Sequence, residues 1–110
     1  MSMLASDAFA SVSLAHTLLL AGALMAIGIA GFLSRRNLIV MFLCTELMFQ
    51  AAVVAMAGFG RWYWDFSGQV FVIFILTVAA AEAALALALV VLLYRRRSTL
   101  DAEAWTELRE

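Results

Sequence analysis

Three long stretches of this chain are almost free of charge. They run from about Ser13 to Leu33, Leu38 to Phe59 and Gln69 to Tyr94. Each meets or exceeds the ~20 residues a helix needs to cross ~30 Å of hydrocarbon. Within them, Leu18-Leu19-Leu20 and Leu85 to Leu93 are apolar on every face. A β-barrel strand would alternate apolar and polar residues instead. Backbone in lipid must satisfy its own hydrogen bonds, so the pattern predicts three transmembrane helices at about 13–34, 38–59 and 69–94. The expected architecture is an all-α integral membrane protein. It forms one membrane domain over 1–110, with a polar tail over 95–110.

The connections differ. Arg35-Arg36-Asn37 is so short that it joins antiparallel neighbours, and the first two helices form a hairpin. Gly60 to Gly68 is longer and carries Gly-Arg and Ser-Gly turn signals. In the tail, Asp101, Glu103 and Glu107 are spaced for a short or partly ordered helix on the membrane surface. Small residues recur at every fourth position on helix one, as Gly22, Ala26 and Ala30, with Ala23, Ile27 and Gly31 beside them. Helix three is rich in alanine between Ala79 and Ala88. Such stripes let helices approach closely. They fit packing within the three-helix unit and packing inside a larger assembly equally well.

Composition agrees with the pattern. Of 110 residues, 66% are hydrophobic and 14% charged, and mean hydropathy is +1.03. So much apolar side chain cannot be hidden inside so short a soluble chain. A net charge of −1 leaves no basic footprint for nucleic acid, and the single Cys44 excludes an internal disulfide. No Lys or Arg precedes Arg35, so the first span is expected to be a retained helix and not a cleaved signal.

The arginines set the expected orientation. Arg35, Arg36, Arg95, Arg96 and Arg97 fall on one side, and only Arg61 on the other. The positive-inside rule puts the N-terminus outside and the C-terminus in the cytoplasm. Trp62, Tyr63 and Trp64 then read as an interfacial anchor in the outer loop.

Thirteen of the fifteen charged residues lie outside the three stretches; the exceptions are Glu46 and Glu82. Glu46 lies ten residues after Arg36, and Glu82 thirteen before Arg95. At 1.5 Å per residue the depths are roughly 15 Å and 20 Å. A charge there costs ~2.5–3.5 kcal/mol on insertion scales. The carboxyl is therefore protonated for much of the time, or a basic group or water from a neighbour stabilises it. Either state suits a proton relay. The bland alternative is a hydrogen bond that holds helices together, with Gln50 the natural partner of Glu46 four residues away. His16, Cys44 and the methionines Met41, Met48 and Met56 read as interfacial or packing residues. No metal cluster, phosphate loop or nucleophile–base pair is present, so the chain does no bond chemistry by itself.

The segment from Gly28 through Arg35-Arg36-Asn37 to Glu46-Leu-Met resembles the first half of the K subunit of bacterial NADH:quinone oxidoreductase (respiratory complex I), the counterpart of mitochondrial subunit 4L. Gly68-Gln69-Val70 followed by Ala79-Ala-Ala-Glu82-Ala-Ala resembles its second half, and Thr106-Glu-Leu-Arg109 its ending. The resemblance covers about 14–109. It implies a subunit of a translocating enzyme in the bacterial inner membrane, between quinone-side and antiporter-like membrane subunits. It implies proton-relay roles for Glu46 and Glu82 and a functionally sensitive turn at Arg35 and Arg36. NADH, flavin, iron–sulfur clusters and quinone would belong to other subunits, and this chain would bind no cofactor and no metal. It departs from the family at Cys44-Thr45 and at Ala84-Leu85-Ala86, where small residues or Ile-Gly-Leu are usual. The C subunit of multisubunit cation/proton antiporters is the nearest alternative; the absence of proline and the presence of both glutamates stand against it. A small drug/proton exporter needs four spans. A purely structural membrane subunit is the third alternative.

Overall fold

A computed structural model describes residues 12–97 and 101–103. Among the described residues there are three helices: α1, Leu14–Ser34; α2, Leu38–Trp62; and α3, Ser67–Arg97. All three are long and apolar enough to cross a membrane. The α3 helix has 31 residues, roughly 46 Å of rise, so it outruns the hydrocarbon layer. Glu107 and most of the tail lie outside the described residues.

Local chemistry sets the helix ends. At the start of α1 the Ser13 N–H donates to His16 Nδ1 at 3.3 Å, and the Ser13 hydroxyl lies 2.8 Å from the same nitrogen. The α1 helix stops at Arg35, whose backbone is extended. Asn37 then opens α2 by accepting the Ile39 N–H on Oδ1 at 3.0 Å, a standard use of asparagine as N-cap.

The second connection is tighter than the expected Gly60–Gly68 loop. Helix α2 continues three residues past Phe59, and α3 begins two residues before Gln69. The reason lies in two backbone bonds. Asp65 N–H donates to Gly60 O at 3.0 Å, and Trp64 N–H to Arg61 O at 3.4 Å. This is a Schellman closure, which needs one residue at positive φ. Trp64 takes that place at φ 53°, where glycine is usual and a bulky side chain costs about 1–2 kcal/mol. The Trp64 side chain packs on little of the chain, since the residue is 94% exposed. Asp65 then turns the chain into α3: Oδ1 accepts the Ser67 N–H at 3.0 Å and Oδ2 the Ser67 hydroxyl at 2.6 Å.

The helices form an open layer. Helix α2 packs against both α1 and α3, which make little contact with each other. Small residues sit at the closest approaches. A Cβ on Gly28 would lie 2.7 Å from Met48 Cγ and 3.1 Å from Cys44 O, and one on Gly31 2.6 Å from Cys44 Sγ. Cys44 is thus a packing residue between α1 and α2. At the other end a Cβ on Gly68 would lie 2.5 Å from Met56 O and 2.9 Å from Gly60 Cα. There α2 and α3 meet backbone to backbone.

The stripe that packs on α1 is not Gly22, Ala26 and Ala30. Those three are exposed, and Gly22 has nothing within 4 Å of a Cβ position. The buried residues of α1 are Ala21 and Gly28. Several faces of α1 carry small residues, and the one opposite the bulk of α2 is the one used. On α3 a single face is covered: Gly68, Val72, Ile75, Ala79, Glu82, Ala86, Val90 and Leu93. Its intervals of four and three keep one seam against a neighbouring helix. Most of the rest of α3 is exposed apolar surface.

Two outcomes follow. Gly68→Ala forces backbone apart and should cost about 1–3 kcal/mol, seen as a lower melting temperature of the detergent-solubilised protein, whereas Gly22→Ala should leave it unchanged. Hydrogen bonds from the Ser67 hydroxyl and backbone N–H hold the Asp65 carboxyl below its usual value of 3.8. The ionised form is thus favoured by folding, and its contribution is present above pH 3.8 and fades as pH falls further. In melts taken across pH, wild type should exceed Asp65→Ala by a margin that is constant above that value and shrinks below it.

Candidate functional site

Glu46 lies on α2 and Glu82 on the covered face of α3. The two helices run antiparallel, so residues at similar distance from the arginine-bearing end come to similar height. Both glutamates line one cleft between α2 and α3, of about 240 Å³. The seam explains the position of Glu82. It stands seven residues after Ile75 and three after Ala79, on the same line as Ala86. That line is turned toward α2.

The remaining walls of the cleft are apolar apart from Thr45; at its arginine-side end stand Ile39 and Val90. Thr45 was not singled out as a site residue by sequence. Its hydroxyl donates to Phe42 O at 2.8 Å, which leaves its oxygen free to accept in the cleft. Adjacency to Glu46 was the one available signal.

The two carboxyls have different surroundings. Gln50 Nε2 donates to Glu46 Oε1 at 3.1 Å, the i,i+4 pair that the spacing allows. Among the described residues Glu82 has no such partner: its Oε2 is buried and without a hydrogen bond. Buried polar atoms are nearly always bonded, and an exception calls for water, a partner or a functional reason. The volume of the cleft suffices for several waters at ~30 Å³ each.

Arg35 and Arg36 do not line the cleft. Arg35 forms the cap of α1, its N–H donating to Gly31 O at 3.1 Å. Arg36 Nη1 pairs with Glu103 Oε2 at 2.6 Å, both side chains well exposed at 70% and 58%. Exposed pairs of this kind contribute ~0–1 kcal/mol. A second, larger cavity of about 940 Å³ lies at the aromatic end, lined by Thr17, Gly58, Arg61, Trp64 and Gln69 among others. It contains neither glutamate. Among the described residues no three His, Cys, Asp or Glu side chains are grouped as a metal would need.

Known proteins resemble this chain over most of its length. A family model described as NADH-ubiquinone/plastoquinone oxidoreductase chain 4L matches residues 16–110. A protein from Bordetella avium (strain 197N), NADH-quinone oxidoreductase subunit K, is 49% identical over 100 residues, which is 90% of this chain and 98% of its own. Proteins of the same name are 47% identical in Persephonella marina, over 86% of this chain and 94% of theirs, and 44% in Thermomicrobium roseum, over 90% and 97%.

The asymmetry of the pair is measurable as stability. Glu82→Leu removes an unbonded buried polar atom and should leave the detergent melting temperature unchanged or raise it. Glu46→Leu strands the Gln50 amide and should cost about 1–2 kcal/mol. Equal losses in both variants would contradict the hydrogen bonding described.

Proposed function

Because the chain belongs to the NADH-ubiquinone/plastoquinone oxidoreductase chain 4L family, and is thus a membrane subunit of a multisubunit NADH-quinone oxidoreductase, we propose that it carries protons between Glu46 and Glu82. The observation that supports this most is the shared cleft. Two carboxyls on different helices face one space, and Glu82 keeps a buried oxygen with no partner.

The relay works as follows. Gln50 holds Glu46 Oε1 and leaves its second oxygen to take or release a proton. Water in the cleft, anchored by the two carboxyls and the Thr45 oxygen, spans the gap to Glu82 Oε2. Each carboxyl takes up a proton and passes it on as the water or the groups facing the cleft change. Movement of a neighbouring subunit against the open side of the cleft would bring about that change. The redox steps that drive such movement take place elsewhere. An iron–sulfur cluster takes about four thiolates, and this chain has one cysteine, so its residues do not fit such a centre. NADH, flavin and quinone are likewise assigned to other subunits.

The N-terminus lies on the outer face and the arginine-bearing end in the cytoplasm of a bacterial inner membrane, as the distribution of Arg35, Arg36, Arg95, Arg96 and Arg97 favours. The exposed apolar faces of α1 and α3 are taken up by the quinone-side and antiporter-like subunits.

The test is NADH-driven proton pumping in membrane vesicles carrying Glu46→Gln or Glu82→Gln, with assembly of the complex followed on native gels. A relay predicts an assembled complex whose pumping falls about a hundredfold or more, the scale of losing a positioned proton-transfer group. Glutamine keeps the hydrogen bond but cannot hold a transferable proton. Normal pumping in both variants would make the carboxyls architectural.

A further inference from the structure

The first connection and the segment Asp101–Glu103, which follows α3 in the chain, are far apart in sequence but meet in space. Ala102 N–H donates to Arg36 O at 2.8 Å. Asn37 and Asp101 form an antiparallel bridge. Arg36 and Glu103 pair at 2.6 Å. The Glu103 N–H donates to Asp101 Oδ1 at 3.0 Å, which bends the segment so that its glutamate faces the arginine.

This contact sits at a definite place. Asn37 is the cap of α2, and Ile39, two residues on, is the wall of the cleft nearest the arginines. The rise between them is about 3 Å. Helices α2 and α3 are pinned at their other end by the backbone contact of Gly60 with Gly68. Helix α1 gives α3 little support. Asp101 follows Arg97 by only four positions, so its contact with the cap of α2 links the ends of α2 and α3 at the side where the glycine contact does not reach.

We propose that Asp101–Glu103 is a latch across the arginine-side mouth of the cleft, and that Glu103 is a positioning residue that holds Arg36 and so sets how far that mouth opens. Its weakness suits the task. The pair is solvent-exposed and screened by salt, so it can open and reclose on the way to a buried carboxyl. Proton entry through this mouth rests on the relay reading above; the latch itself does not.

The experiment uses the assembled complex in vesicles whose arginine-bearing face is outward. A Val90→Cys probe is placed in a Cys44→Ser background and its labelling by a charged, membrane-impermeant maleimide is timed. An Ile39→Cys probe serves if the first fails to assemble. Glu103→Gln should speed labelling about two- to fivefold, the scale of losing an exposed ion pair. Glu103→Asp should keep it slow. Arg36→Glu and Glu103→Arg should each speed it, and the double reversal should restore the slow rate. About 1 M salt, which shortens the screening length to about 3 Å, should reproduce the effect of Glu103→Gln. Equal labelling in all variants, or a double reversal no slower than its single parents, overturns the latch. Pumping by the glutamine variants of Glu46 and Glu82 tests the relay separately: if it persists while the reversal still restores slow labelling, the relay falls and the latch stands.

Discussion

Close approach of helix backbones is the constraint on which this structure depends. In hydrocarbon there is no solvent to expel from between two helices, so packing contact must hold them. The chain supplies it with Gly28 and Gly31 against Cys44 and Met48, and with Gly60 against Gly68. The second contact has a consequence beyond cohesion. It fixes α2 and α3 together at the aromatic end, and the larger side chains of the opposite end, Phe42, Leu43, Leu87 and Val90 among them, leave room between the helices. The carboxyls occupy that room. A tight junction and an adjacent gap are thus parts of one arrangement.

The sequence disclosed the large features because each rests on a strong energetic penalty. Charge cannot be scattered through a span, so the three helices are visible as uncharged stretches. Carboxyls at that depth are costly, so Glu46 and Glu82 stand out at once. The Glu46–Gln50 bond follows from helix geometry alone. What could not be read was any choice among near-equal options. Helix α1 offers small residues on several faces, and only the shape of α2 decides that Ala21 and Gly28 face inward while Gly22 does not. The end of α2 was misplaced because a tryptophan at positive φ closes it, and no residue preference points there. The meeting of Asp101–Glu103 with Arg36–Asn37 is a long-range contact between polar segments, which periodicity does not encode.

The site is uneven in a way that composition hides. Glu46 and Glu82 are the same residue type at similar height, yet one is held by an amide and the other is left with a bare oxygen. A pair of identical groups in identical settings would share a proton without preference. In the proposed relay, these different settings would give the two carboxyls distinct character.

The open layering of the helices bears also on how the molecule is made. Each helix packs mainly on the one that precedes or follows it in the chain. Contacts between sequence neighbours need no long search to form. The α1–α2 hairpin can therefore settle in the membrane while the ribosome is still translating α3, and α3 can dock on a surface already in place. The return of Asp101–Glu103 to Arg36 comes after both, because those residues are synthesised after α3. Asp101–Glu103 seated on the first turn thus marks a chain whose third helix has already been made.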